Sequence, residues 1–241
     1  GVAGSIPTGP TPADGRRPRG AALPASGRYS RGYGTSPPAM SDIFLVRQPV
    51  FDRSDSAVGY ELRFRSHADD DEGDPFARSY LSGSFEFLRA GLPAYVRATR
   101  EQLVERIFDA PEPESLVVLL PPDLPAEPEV IESVAELAGR GVTVVLDEFE
   151  LPKVAGAPIL SFLAHASAVR IDLRTQDPAS LAPLVAALKR QGKRAIADHV
   201  LDLKLYQACA TLGFDGFQGP HFSRPEPLPS AELPGSTAAA L

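Results

Sequence analysis

Five acidic residues sit at or near the ends of separate apolar runs in this 241-residue chain. Glu61 lies within the run 58–65, Asp147 and Glu148 directly follow 142–146, Asp172 follows 169–171, and Asp198 follows 195–197. If those runs are parallel strands, their C-terminal ends share one rim, and four elements deliver carboxylates to one place. Carboxylates that converge repel one another and take raised pKa values unless a cation neutralises them. Clusters of this kind suit magnesium or manganese and the phosphoryl chemistry those ions support. The alternative is that each acid merely marks where a strand gives way to a loop.

Other side chains carry less. One cysteine, Cys209, excludes an internal disulfide framework and a thiolate zinc cluster, and four scattered histidines offer no HExxH pair. Cys209 shares the apolar side of a helix with Leu205 and Leu212, so it reads as a small core residue rather than a nucleophile. His199 follows Asp198, but neighbours at a strand end point apart, so a loop histidine is expected. The run 67–74 is acidic without the loop length or terminal glutamate of an EF-hand, and reads as a solvated loop.

The elements that must position the acids follow from patterning. Strands are expected at 43–51, 58–65, 94–97, 116–120, 142–146, 168–173, 194–197 and 213–217, and helices at 76–90, 100–108, 128–139, 158–166, 179–190 and 203–212. Strand after helix after strand means an α/β fold with a parallel sheet and helices outside it. About eight strands in one domain-sized length, with no Gly-rich dinucleotide fingerprint after the first, favour a TIM-like (β/α) barrel over an open sheet.

Composition bounds the rest. With 43% hydrophobic residues the chain can bury one substantial core. Residues 1–39 are Gly-, Pro- and Arg-rich and read as a disordered tail, 40–226 as the barrel, and 227–241 as a Pro/Ala-rich C-terminal tail. Five arginines against Asp14 give the first stretch +4, so the chain's −7 leaves −11 for the remainder. Such a surface argues against binding a nucleic-acid polymer. Neither a membrane span nor a secretory signal is visible, which makes the cytoplasm the expected compartment.

Several motifs, in order and spacing, resemble the EAL domain family. They are Arg47-Gln48-Pro49-Val50-Phe51-Asp52, Gly59-Tyr60-Glu61-Leu62-Arg63-Phe64-Arg65, Leu146-Asp147-Glu148-Phe149, and Gly213-Phe214-Asp215-Gly216-Phe217-Gln218-Gly219 followed by Phe222-Ser223-Arg224-Pro225. The likeness is to the branch whose name-giving triplet reads Tyr-Glu-Leu, as in the EAL portion of EAL-HDOD proteins. It implies a modified TIM-like barrel that binds the second messenger cyclic di-GMP and, when its site is intact, hydrolyses it with two divalent metals.

Under that resemblance Glu61, Asp147, Asp172 and Gln218 match the family's catalytic residues, with Glu61 and Asp147 as remnant metal ligands. Glu148, Arg170 and Asp198 stand for Asp, Lys and Glu. Gln48 and Arg65 match the nucleotide contacts. Three positions depart: Arg97 replaces an asparagine ligand, and Leu119 and Leu201 replace glutamates. The site so changed loses two negative charges and gains one positive charge, and an inward Arg97 would pair with Asp147 or Glu61 where a metal would sit. The resemblance then implies a degenerate, inactive EAL domain acting as a cyclic di-GMP receptor or a protein-interaction module, with a protein partner or a second copy as further candidates. No cofactor is expected on this basis. The alternatives are an active phosphodiesterase requiring Mg2+ or Mn2+, and a scaffold that binds neither metal nor nucleotide.

Overall fold

The computed structural model describes residues 43–64, 74–149 and 158–229. Expectations for residues 1–39, for Arg65, for the acidic run 67–73 and for 230–241 lie outside the described residues.

Eight strands close into a barrel: β1 (Ile43–Asp52), β2 (Ala57–Phe64), β3 (Ala94–Arg97), β4 (Leu116–Leu120), β5 (Thr143–Leu146), β6 (Ala168–Asp172), β7 (Arg194–Asp198) and β8 (Gly216–Phe217). Each pairs with the next, and β8 meets β1 to close the ring. From β2 to β8 neighbouring strands are parallel, whereas β1 is antiparallel to both of its barrel neighbours. The reversal has a local cause. Residues 53–56 form a turn in which Asp52 Oδ1 accepts the N–H groups of Ser54 and Ser56, and so short a connection can join only antiparallel strands.

Helices α1 (Pro75–Leu81), α2 (Ser84–Arg89), α3 (Arg100–Val104), α4 (Pro128–Gly139), α5 (Pro178–Arg190) and α6 (Leu203–Leu212) complete the architecture. The single helix expected over 76–90 is two, because Gly83 takes a left-handed φ of 76° between them. The helix expected over 100–108 stops at Val104 and resumes as a 3-10 turn at Ile107–Asp109, after Arg106 turns left-handed. The segment expected to be helical over 158–166 is a 3-10 helix, Pro158–Phe162. Capping is otherwise legible: Thr99 and Gln102 form a reciprocal capping box on α3, and Asp74, Asp177 and Asp202 accept backbone N–H bonds at the starts of α1, α5 and α6.

The C-terminal tail expected from Pro227 begins instead as part of a strand. β9 (Glu226–Pro229) pairs antiparallel with β1, and Arg47 Nη2 donates to Glu226 Oε2 at 3.1 Å. Two prolines disguise it in the sequence, but at the edge of a sheet their missing N–H groups cost no ladder bond.

Alternation divides the core in two. Leu116, Val118 and Leu120 of β4 face outward into the large cluster that packs the helices, with Phe76, Phe85, Phe108 and Phe162 fully buried. Val117 and Leu119 face inward with Val50, Tyr95, Val145, Ala168 and Ile196, filling the barrel interior. Cys209 is buried in the outer cluster, as its spacing predicts, and burial pushes its thiol up to about 11, which leaves it protonated.

One close approach fixes the loop after β8. Gly219 has φ +146°, and a Cβ there would lie 2.3 Å from Val200 N and 2.5 Å from Val200 O. Gly219→Ala should therefore lower stability by about 1–3 kcal/mol, seen as a lower urea midpoint. An unchanged midpoint would show that the 199–200 segment moves aside freely.

Candidate functional site

Counting by twos from the apolar interior places a second layer toward the C-terminal ends of the parallel strands. Gln48 shares the face of Val50, Arg97 that of Tyr95, Asp147 that of Val145, Arg170 that of Ala168 and Asp198 that of Ile196. Glu61 lies opposite Gln48 in the β1–β2 register, and Asp172 opposite Asp198 between β6 and β7. Polar groups thus lie directly on top of an apolar plug.

At the centre of this layer is Arg170, whose side chain is 3% exposed. Its Nε and Nη2 donate to Asp147 Oδ1 and Oδ2 at 2.6 and 2.9 Å, a bidentate fork. Nη1 donates to Glu61 Oε2 and Gln218 Oε1, both at 2.8 Å, and Nη2 also reaches Glu61 Oε1 at 3.3 Å. Gln218 Nε2 donates in turn to Glu61 Oε2 at 2.7 Å. Arg63, two residues along β2 on the same face as Glu61, donates its Nε and Nη2 to the two Glu61 oxygens at 2.9 and 3.1 Å. Strands β2 and β6 and the residues directly following β5 and β8 are tied through one guanidinium.

The electrostatics follow from this pairing. Burial alone pushes the Glu61 carboxyl up, but Arg170 and Arg63 outweigh it and hold the group well below the usual carboxylate range. Arg170 loses by desolvation yet gains more from Glu61 and Asp147, and stays charged. Burial and the Glu61 carboxylate push Asp198 up, despite Arg170 and His199 nearby. Asp172 is held down because its bonds to Arg174 outweigh its burial; Arg174 Nη2 donates to Oδ2 at 2.7 Å.

This arrangement corrects the expected position of the built-in cation. Arg97 is 45% exposed and donates to Glu148 Oε1 at 2.9 Å, approaching Asp147 Oδ2 only to 3.6 Å. The space between Glu61 and Asp147 is held by Arg170 instead. His199 lies in the loop after β7, as expected, but its side chain does not point away from Asp198. It takes a left-handed φ of 61°, which ends the strand alternation and turns its Nδ1 back to 3.1 Å from Asp198 Oδ2 and 3.4 Å from Asp172 Oδ1. Glu148 does the same after Asp147, with φ 45°.

Other expected residues fall apart from this centre. Leu119 is fully buried in the barrel interior, whereas Leu201 is 58% exposed in the loop before α6. Gln48 is buried, and its Nε2 donates to Ser223 O at 3.1 Å, tying β1 to the loop after β8. Arg63 and Arg174 are the site residues that sequence reasoning passed over. Their signal was the two-residue spacing from Glu61 and Asp172. Above the layer opens a cleft of about 580 Å³ whose lining includes Arg63, Arg97, Arg170 and Arg174. Among the described residues, no group of three or more His, Cys, Asp or Glu side chains is placed to hold a metal ion. No described helix is long and apolar enough to cross a membrane.

The same barrel recurs in solved structures. An EAL-domain protein from Listeria monocytogenes EGD-e superposes with a TM-score of 0.59 at 18% identity, covering 77% of this chain and 89% of that one. The EAL enzyme Bd1971, solved with cAMP and cyclic di-GMP, gives 0.59 at 14% identity over 76% of this chain and 62% of the other. The chain has the fold of an EAL domain. Among curated proteins, it is 26% identical over 201 residues to the uncharacterized protein YuxH of Bacillus subtilis (strain 168), and 26% identical over 200 residues to the cyclic di-GMP phosphodiesterase CdgJ of Vibrio cholerae. These alignments cover 79% and 78% of the chain but 49% and 45% of the relatives, so the EAL-type chain spans about half their length. No family model matches.

Two measurements test the centre of this EAL-type barrel. Arg170→Leu removes the cation between the buried Glu61 and Asp147 carboxylates and leaves only the half-exposed Arg63 and Arg97 beside them, which should cost about 3–5 kcal/mol in urea unfolding, with Arg170→Lys recovering part of that loss. A neutral outcome would mean that water reaches both acids. Because Glu61 is depressed in the folded state, its stabilising contribution is fully present above its ordinary value of 4.5 and is lost as pH falls below it. Stability measured from pH 6 down to 3 should therefore fall, and Glu61→Gln should flatten that slope.

Proposed function

We propose that this chain is an EAL domain of cyclic di-GMP signalling that does not hydrolyse the dinucleotide and serves as its receptor. The cyclic di-GMP part of the proposal is supported by the fold and by the phosphodiesterase relative. The loss of hydrolysis is supported by one observation, the Arg170 guanidinium lying between Glu61 and Asp147.

The physical argument concerns donors and charge. Magnesium needs about six oxygens in a near-octahedral shell at about 2.0–2.1 Å. Here the oxygens of Glu61 and Asp147 accept bonds from Arg170, and those of Glu61 accept further bonds from Arg63 and Gln218. A guanidinium does not give up its proton, so the positive charge is permanent and repels a divalent ion. Leu119 offers no donor from the next strand, and Leu201 lies out in solvent. The donor set does not fit a two-metal centre. Asp198 and His199 form an acid–imidazole pair at the rim.

The test is an assay of the purified chain with cyclic di-GMP in magnesium and in manganese, following the linear dinucleotide, beside calorimetry in chelator. Binding without turnover is the expected outcome. Metal-dependent turnover would overturn the loss of hydrolysis, and failure to bind would favour a scaffold over a receptor.

A further inference from the structure

The cleft has two electrostatic layers. Glu61, Asp147, Asp172 and Asp198 are all buried, and three arginines lie outside them: Arg63, Arg97 and Arg174 have side chains 47%, 45% and 59% exposed. Each outer guanidinium is oriented by an acid and spends only part of its donor set there. Arg63 gives Nε and Nη2 to Glu61, Arg174 gives Nε and Nη2 to Asp172, and Arg97 gives Nη1 to Glu148. Among the described residues, no acceptor lies within hydrogen-bond reach of Nη1 of Arg63, Nη1 of Arg174, or Nε and Nη2 of Arg97. Of the acids that line the cleft, Glu148 is comparably exposed but is bonded to Arg97, and Asp74 accepts from Ala77 N and Gln102 Nε2.

We infer that Arg63, Arg97 and Arg174 form a metal-independent grip for a ligand carrying two phosphates. Choosing a cyclic dinucleotide as that ligand rests on the receptor role proposed above; the grip itself does not. Guanidiniums suit the task because their planar forks match phosphate oxygens and their hydration is weak. Orientation by paired carboxylates lowers the side-chain entropy lost on binding. Arg63 and Arg174 each follow a buried acid by two residues on one strand face or just beyond it, and Arg97 ends the strand next to β2. A cleft of about 580 Å³ is within the range that holds a ligand of nucleotide size.

The experiment is calorimetry in chelator with two probes, cyclic di-GMP and inorganic pyrophosphate, on the unmodified chain and on Arg63→Gln, Arg97→Gln and Arg174→Gln. Each substitution should weaken both probes by about tenfold, and raising the salt should weaken them further. Arg97→Gln keeps the test decisive if Arg63→Gln folds poorly, because Arg97 and its partner Glu148 are both half-exposed. Pyrophosphate binding that depends on the three arginines, without cyclic di-GMP binding, would support the grip and overturn the receptor role. Cyclic di-GMP binding unchanged in folded variants would overturn the grip and leave the receptor role standing. Binding of neither probe would overturn both.

Discussion

A single buried guanidinium organises the upper half of the barrel. Arg170 lies among groups that could not otherwise share the space: two carboxylates and a primary amide, all cut off from water, which would repel one another or lie unsatisfied. Desolvating these ions costs several kcal/mol each, and the cost is offset only because nearly every lone pair and proton finds a partner. Such a cluster adds little net stability compared with an apolar core of the same volume. It sets geometric demands instead. Glu61, Asp147, Arg170 and Gln218 come from four strands, and a slip of one residue in any of them would turn its polar group out into the helices.

The strand ends are adjusted to that demand. After β5 and again after β7, an acid is followed by a residue with positive φ, Glu148 and His199, and in both cases the acid's Oδ1 accepts the N–H of that next residue. Non-glycine residues enter the left-handed region at a cost, and here the cost accompanies a specific result: the second side chain is returned to the rim instead of alternating away from it. Glu148 thereby meets Arg97, and His199 meets Asp198 and Asp172.

How much of this could be read in the sequence varies with the range of the interaction. The barrel was legible because β4, β5 and β6 are apolar runs between amphipathic helices, and the inward set was legible because period-two alternation places Glu61, Asp147, Arg170 and Asp198 on one face. The identity of the central cation was not. Arg97 and Arg170 both point inward by parity, and which one fills the space between Glu61 and Asp147 depends on how far each strand is staggered in the closed ring. His199 was misjudged because strand alternation was carried one residue too far, into a backbone conformation that no local signal announced. β9 was missed because its prolines argue against a strand unless its edge position is known. Leu201 was placed by motif alone, and the exposed loop before α6 carries it away from the rim.

The central charge also bears on what the barrel requires in order to fold. A ring of inward carboxylates without a counter-charge must either protonate or recruit an ion, so its ionisation becomes conditional on solution composition. Here the counter-charge is covalently part of β6, and its partners lie on β2 and directly after β5 and β8. The polar layer is neutralised as soon as those strands come into register, and the same event satisfies the buried amide of Gln218. Folding of the barrel and electrostatic completion of its centre are therefore one process. The partly exposed arginines above that centre do not share its obligations, since solvent screens them, and their remaining donors can face a ligand without unsettling the layer beneath.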